Sequence, residues 1–134
     1  MEFDDIDNLH KKSKILHADL CYSIVGSAFK VLNTLKLGLN EKAYENALVI
    51  ELTKRGHHIQ QQRKFDVFYE GIKIDTLIPD LLLDDLVIVD PKVVTNFNET
   101  HVAQMMGYLA ITGFDLAILL NFKNATLEHK RVIR

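Results

Sequence analysis

Cysteine is almost absent: Cys21 stands alone among 134 residues. An intrachain disulfide is therefore excluded, and with it a fold that depends on disulfide staples. Long apolar runs are missing too. No stretch approaches the roughly 18 uninterrupted apolar residues that span a bilayer, so no membrane partner is expected. A secretory leader, basic and then apolar, is not seen at the start. Glu2, Asp4, Asp5 and Asp7 come before any apolar run, and an intracellular, cytoplasmic protein is the simplest reading. Basic charge is not in excess either: 16 Lys and Arg against 18 Asp and Glu give a formal net charge of −2. That weighs against a protein that coats nucleic acid, which is normally basic. It does not weigh against a site that gathers carboxylates around metal ions. There are only two prolines, Pro79 and Pro91, and no repeat, low-complexity tract or linker. What remains, 48% hydrophobic and 25% charged residues, suits one domain with one core. Residues 1–14 form a polar N-terminal segment, either loose or extending the first helix, and residues 15–134 the domain.

Leu20, Ile24, Ala28, Val31 and Leu35 recur every three or four residues, which predicts a helix over 16–35 with one apolar stripe. Gly38 is the expected left-handed cap. Asn40 is a suitable N-cap for a second helix reaching residue 55, ended by Gly56. Alternation at Phe65, Val67 and Tyr69, then Glu70-Gly71 and Ile72 and Ile74, reads as a hairpin. The apolar runs 77–83 and 86–94, joined at Asp84-Asp85, read as a second hairpin whose strands are covered on both faces. A third helix is expected over 98–112, closed by Gly113, then a buried strand over 116–122 and an edge strand in 127–134. This order of helix, helix, strands, helix and strand predicts an α/β fold with a mixed sheet against helices.

Charged residues inside apolar strands are the exceptions that carry information. Asp80 is the one charge in Ile78-Pro79-Asp80-Leu81-Leu82-Leu83, and Asp90 and Lys92 are the charges in Val87-Ile88-Val89-Asp90-Pro91-Lys92-Val93-Val94. Residues i and i+2 of a strand share a face, so Asp90 and Lys92 can reach one bound phosphate. Burying such groups is costly unless they pair or bind a metal. An internal ion pair between Lys92 and either aspartate explains them as well as a functional site does. Parity separates the two. A two-residue turn at Asp84-Asp85 sets Asp80 opposite Val89 and sends Asp90 to the other face. A three-residue loop, 84–86, sets Asp80 opposite Asp90. Paired carboxylates with open oxygen positions suit Mg²⁺, which activates water and steadies a leaving oxygen. A lysine beside them stabilises charge growing on phosphorus.

Pro79-Asp80 followed by Asp90-Pro91-Lys92 resembles the signature of the PD-(D/E)xK nuclease superfamily. Gly38-Leu39-Asn40-Glu41-Lys42-Ala43-Tyr44 matches the G-x-x-E-x-x-Y element of the GxxExxY family within it. His101-Val102-Ala103-Gln104-Met105-Met106-Gly107-Tyr108 matches that family's H-x-x-Q-x-x-x-Y stretch. Leu119-Leu120-Asn121-Phe122 and Lys130-Arg131-Val132-Ile133 resemble its L-I-N-F strand and basic–aliphatic end. The likeness runs in order from about residue 16 to 134. It implies a restriction-endonuclease-like core and Mg²⁺-dependent hydrolysis of DNA phosphodiesters, with Mn²⁺ as a substitute. It further implies Asp80 as central metal ligand, Asp90 and Glu41 as the other metal-binding acids and Lys92 as the catalytic lysine. Gln104 and Tyr108 would contact the site or DNA, with Tyr44 and His101 as supporting or DNA-binding residues.

Two positions depart from the usual pattern. Asp90 stands where most members have Glu, which shortens the ligand by one methylene, and Pro91 removes a strand N–H, which is tolerable where that N–H would face outward at an edge or bulge and otherwise distorts the site. The rival reading is therefore an inactive or weakly active module that keeps the fold and binds nucleic acid or a protein. Packing with the hydroxyl at a rim accounts for Tyr44 and Tyr108 as well as base stacking does. Glu45 reads as a solvated neighbour of Glu41. Lys54, Arg55, Arg63 and Lys64 around His57-His58 read as a solvated face. A homodimer is a further expectation, since so short a chain often needs a second copy to cover a duplex.

Overall fold

The computed structural model describes residues 16–134; the expectation for the polar segment 1–14 lies outside the described residues. The stripe through Ile24, Ala28 and Val31 is the face that helix α1 (Ala18–Leu35) buries, with Leu32 beside it. The chain leaves this helix earlier than Gly38 suggests. Lys36 takes the left-handed φ of 64° and its N–H donates to the Leu32 carbonyl at 2.8 Å. The Tyr44 hydroxyl, donating to the Lys36 carbonyl at 2.6 Å, helps hold a non-glycine residue there. Asn40 then caps α2 (Glu41–Lys54), its side chain accepting from the Ala43 N–H at 3.2 Å.

The strands are β1 (Ile59–Gln61), β2 (Phe65–Tyr69), β3 (Ile72–Leu77), β4 (Leu81–Leu83) and β5 (Val87–Lys92); α3 (Glu99–Thr112), β6 (Leu116–Asn121) and β7 (Glu128–Ile133) follow. A five-stranded mixed sheet has the order β1-β4-β5-β6-β7, while β2 and β3 pair as a separate two-stranded sheet. β5 and β6 are parallel, a pairing that requires a crossover, and α3 supplies it. The continuous apolarity of β4, β5 and β6 follows from cover on both faces. Leu81, Leu83, Val87, Val89, Ile118 and Leu120 pack on the α1–α2 side. Leu82, Ile88, Ala117 and Leu119 pack with Met105 and Leu109 of α3. Among the described residues no helix is long and apolar enough to cross a membrane.

One expectation needs correcting. The apolar run 77–83 predicts a single strand, but Leu77 closes β3 and β4 holds only Leu81–Leu83. Pro79 has no N–H to give a ladder, and the Asp80 carbonyl accepts instead from the Gln62 N–H at 2.9 Å. The loop after β4 has the odd length that a shared face requires: Leu83 pairs with Val87, Leu82 with Ile88 and Leu81 with Val89. One step past the ladder, Asp80 faces Asp90. Pro91 is accommodated by the same geometry. The Lys92 carbonyl accepts from the Phe122 N–H at 2.9 Å, so Lys92 is turned towards β6. By strand alternation the Pro91 nitrogen is turned towards β4, beyond Leu81, where the ladder has ended.

Candidate active site

Alternation puts Asp90 and Lys92 on the α3 side of the sheet with Ile88, and Asp80 on that side with Leu82. The pocket at this end of the sheet, about 210 Å³, is lined by Glu41, Ile78, Asp80, Asp90, Lys92, Gln104 and Tyr108. Four elements meet there: the N-terminus of α2, the ends of β4 and β5, and one face of α3. A larger cleft of about 300 Å³ lies elsewhere, between α1 and the β6–β7 edge, and Ala18, Val25 and Ile118 contribute to its lining. The convergent carboxylates are in the smaller pocket.

Lys92 Nζ stands 3.2 Å from Asp90 Oδ2, with both side chains largely buried. The bland ion-pair reading of Lys92 and Asp90 is thus partly realised, but it does not neutralise the site. Burial pushes the Asp90 carboxyl up to about 7; the hydrogen bond and charge of Asp80 push the same way, and Lys92 opposes them. The Lys92 ammonium is on Asp90, and with Asp80 also against it the buried Asp90 carboxyl is still disfavoured as an anion. Burial, followed by the charges of Asp90 and Asp80, also raises the Tyr108 phenol above its ordinary 10.0. Gln104 Nε2 donates to the Tyr108 hydroxyl at 3.3 Å, so the two α3 residues act as one polar edge of the pocket.

An excess of carboxylate oxygen in a partly dry pocket is the donor chemistry of a hard divalent cation. Among the described residues no three His, Cys, Asp or Glu side chains converge as a ready ligand set. Asp80 and Asp90 converge. Glu41 lines the same pocket, but its Oε2 is turned to the Val93 N–H at 3.4 Å. Two carboxylates are nonetheless enough for Mg²⁺, which keeps waters and takes phosphate oxygens in its remaining positions. The residues present fit such an ion.

Two of the expected site residues lie elsewhere. Tyr44 is fully buried and stacks on Phe122 at 4.6 Å between ring centres; its hydroxyl serves the α1–α2 connection. His101 is a helix cap. Its Nδ1 accepts from the Asn98 N–H at 3.2 Å while the Asn98 side chain accepts from the His101 N–H at 3.0 Å. That is a capping box with a histidine in the usual Glu or Gln place. Both residues were expected in contact with nucleic acid or in support of the site. Packing and capping outweigh contact because Tyr44 sits on the buried face of α2 and His101 at the third position of α3.

Three residues beside the site were not foreseen as part of it. Glu45 is 3% exposed, not solvated. Its Oε2 accepts from Lys42 Nζ at 3.0 Å, Gln61 Nε2 at 2.6 Å and Gln62 Nε2 at 3.1 Å. The signal available was its place on one helical face with Tyr44 and Leu48, a stripe that turns inward. Gln62 also donates to Asp80 Oδ1 at 3.2 Å, a contact between distant positions that no spacing rule reveals. Asn121, also buried, donates from Nδ2 to the Val94 carbonyl at 2.7 Å and accepts at Oδ1 from the Val94 N–H at 3.1 Å. It carries the β5–β6 contact two residues past Lys92. The basic cluster behaves as expected of a solvated face where its contacts are seen: Arg55 pairs with Glu51, and Arg63 pairs with Asp85 and lies over the Phe65 ring.

Among proteins of curated function, none matches the chain. Among solved structures it is similar to LHK-Exo, an alkaline exonuclease of Laribacter hongkongensis. The crystal structure of that protein with dAMP has a TM-score of 0.49 at 12% identity, and a second crystal structure has 0.48 at 13%. Each covers 80% of this chain and 76% of that one. The family model described as PD-(D/E)XK nuclease superfamily matches residues 18–132. That span takes in both helices before the sheet, the opposed aspartates, Lys92 and the α3 residues that share their pocket, and the chain belongs to the PD-(D/E)XK nuclease superfamily.

Proposed function

We propose that this protein hydrolyses phosphodiester bonds of DNA in a Mg²⁺-dependent reaction, as a member of the GxxExxY branch of the superfamily. The observation that carries the reading is Asp80 set opposite Asp90, with Lys92 Nζ 3.2 Å from Asp90 Oδ2, in one pocket with Glu41, Gln104 and Tyr108. Nucleases of this superfamily generally use divalent metal ions, and Asp80 and Asp90 would hold one here. Bound there, Mg²⁺ would lower the pKa of a water and steady the leaving oxygen; Mn²⁺ would serve as a substitute. Glu41 is near enough to the pocket to take part once its bond to the Val93 N–H opens. Lys92 donates hydrogen bonds to the attacking water or to a non-bridging phosphate oxygen, where negative charge grows. The Gln104–Tyr108 edge faces the same space and orients the scissile phosphate. A second copy of the chain would widen the surface offered to a duplex. An inactive binding module loses one of its supports, because Pro91 falls where the β4–β5 ladder has already ended.

The test is cleavage of duplex DNA, single-stranded DNA and RNA with Mg²⁺, with Mn²⁺ and with chelator. Asp80→Ala and Lys92→Ala should each lower DNA cleavage by about 10²–10³-fold. Undiminished cleavage by both variants would sink the site assignment. Faster cleavage of RNA than of either DNA would reassign the substrate.

A further inference from the structure

Gln62 follows β1 with a φ of 58°, a left-handed conformation that a glutamine adopts only when its surroundings hold it there. What surrounds it is Asp80 and Glu45. The Gln62 N–H donates to the Asp80 carbonyl at 2.9 Å. Its side-chain Nε2 donates to Asp80 Oδ1 at 3.2 Å and to Glu45 Oε2 at 3.1 Å. Both amide hydrogens are thus taken by carboxylates, which also settles which end of the amide points at them. Asp80 is gripped twice by one residue, at its main chain and at its carboxylate.

We infer that Gln62, backed by Glu45, is a positioning residue that presents the Asp80 carboxylate to the divalent cation. This rests on the metal-dependent reading above. The choice of an amide has a physical reason. The Lys92 ammonium already stands on Asp90 at 3.2 Å; on Asp80 an amide fixes the rotamer and adds no second positive charge against the ion. The nearby ammonium, Lys42 Nζ, is taken up by Glu45 at 3.0 Å. Glu45 then spends its buried charge on holding the Gln62 amide. Gln61, which donates to both Glu45 Oε2 at 2.6 Å and Asn46 Oδ1 at 2.8 Å, keeps Glu45 in place. The arrangement runs from α2 through the end of β1 to the head of β4.

The experiment is calorimetric titration of Mn²⁺ alone into the full chain and four variants, Gln62→Gly, Gln62→Met, Glu45→Gln and Asp80→Ala, with thermal unfolding of each in chelator. Gln62→Gly suits the left-handed backbone and removes the whole side chain, the amide with it. Gln62→Met keeps the length and removes the donors. Both should weaken Mn²⁺ binding by about 10–100-fold, and Gln62→Gly should do so with metal-free thermal stability close to that of the parent. Glu45→Gln should weaken binding by less, and adding it to Gln62→Gly should cost no further affinity, since the two act in one chain. A residue with only a structural role would lose stability instead of metal affinity. If Gln62→Gly and Gln62→Met both bind Mn²⁺ as the parent does while Asp80→Ala has lost it, the positioning role is wrong and the nuclease reading stands. If the parent itself binds no Mn²⁺, the metal-dependent reading falls and this inference falls with it.

Discussion

Asp84 and Asp90 stand at opposite ends of the β4–β5 pair, and the protein treats them in opposite ways. Asp84 lies in the loop. Burial works against its charge, but the His58 N–H at 2.7 Å and the His57 ring at 2.7 Å overcome that and hold its carboxyl below the ordinary 3.8. The far nitrogen of His57 meets Ser23 Oγ at 2.7 Å, so one polar chain ties α1, the start of β1 and the loop together. At the other end, Asp90 is driven up to about 7 by burial and then by Asp80. One cluster gives its aspartate partners of opposite polarity and closes the fold. The other sets acids against each other and keeps a demand for positive charge. Unrelieved electrostatic conflict in a pocket is the mark by which a functional site is sought, and it falls at the end where the site is proposed, while the satisfied cluster ties the fold together.

The sharpest way to break that comparison is Asp80→Asn. It keeps the shape, still accepts from Gln62 and removes one of the two opposed charges. DNA cleavage should fall by about 10³-fold, while denaturant unfolding of the metal-free protein at pH 8 should show an unchanged or higher stability, by about 1 kcal/mol. A purely structural ion pair predicts the reverse, with stability damaged and cleavage kept.

The two aspartates should next divide the pH dependence of stability between them. Asp90 has its folded value raised, so its contribution is complete below pH 3.8 and is lost as pH rises towards about 7. Asp84 has its folded value lowered, so its contribution is present above pH 3.8 and is lost as pH falls through that lowered value. Metal-free protein should therefore lose on the order of a few kcal/mol between pH 4 and 7, and saturating Mn²⁺ should flatten that slope. A flat metal-free profile across this window would remove the electrostatic conflict from the account.

The smallest effect is expected at the loop. Asp84→Ala deletes two hydrogen bonds at a residue whose φ is 52°, a region Asp tolerates better than Ala. Stability should drop by about 1–3 kcal/mol, read as a melting point lower by several degrees. Cleavage at a temperature where the variant is folded should not change. A folded but inactive Asp84→Ala would show that the loop end is not merely structural.

What the sequence by itself determined was everything that depends on period and local chemistry. Helical spacing marked the inward face of α1, two-residue spacing set Asp90 and Lys92 on one face, and parity tied a shared site to an odd loop at 84–86. The motif order around Glu41, Asp80, Lys92 and Gln104 was readable because each motif is a short run of the chain, within a helix start, a hairpin or two helical turns. Tertiary structure alone decided the rest. The odd loop depends on Asp84 and Asp85 taking left-handed φ values of 52° and 58°, with Asp84 held there by His57 and His58 across 27 and 26 positions. Gln62 reaches Asp80 over 18 positions and Glu45 over 17. The helical face that Glu45 shares with Tyr44 and Leu48 was legible, but the groups that meet it, Gln61, Gln62 and Phe122, come from distant parts of the chain. A hydrogen bond between distant residues has no period, so it becomes visible only once the chain has brought them together.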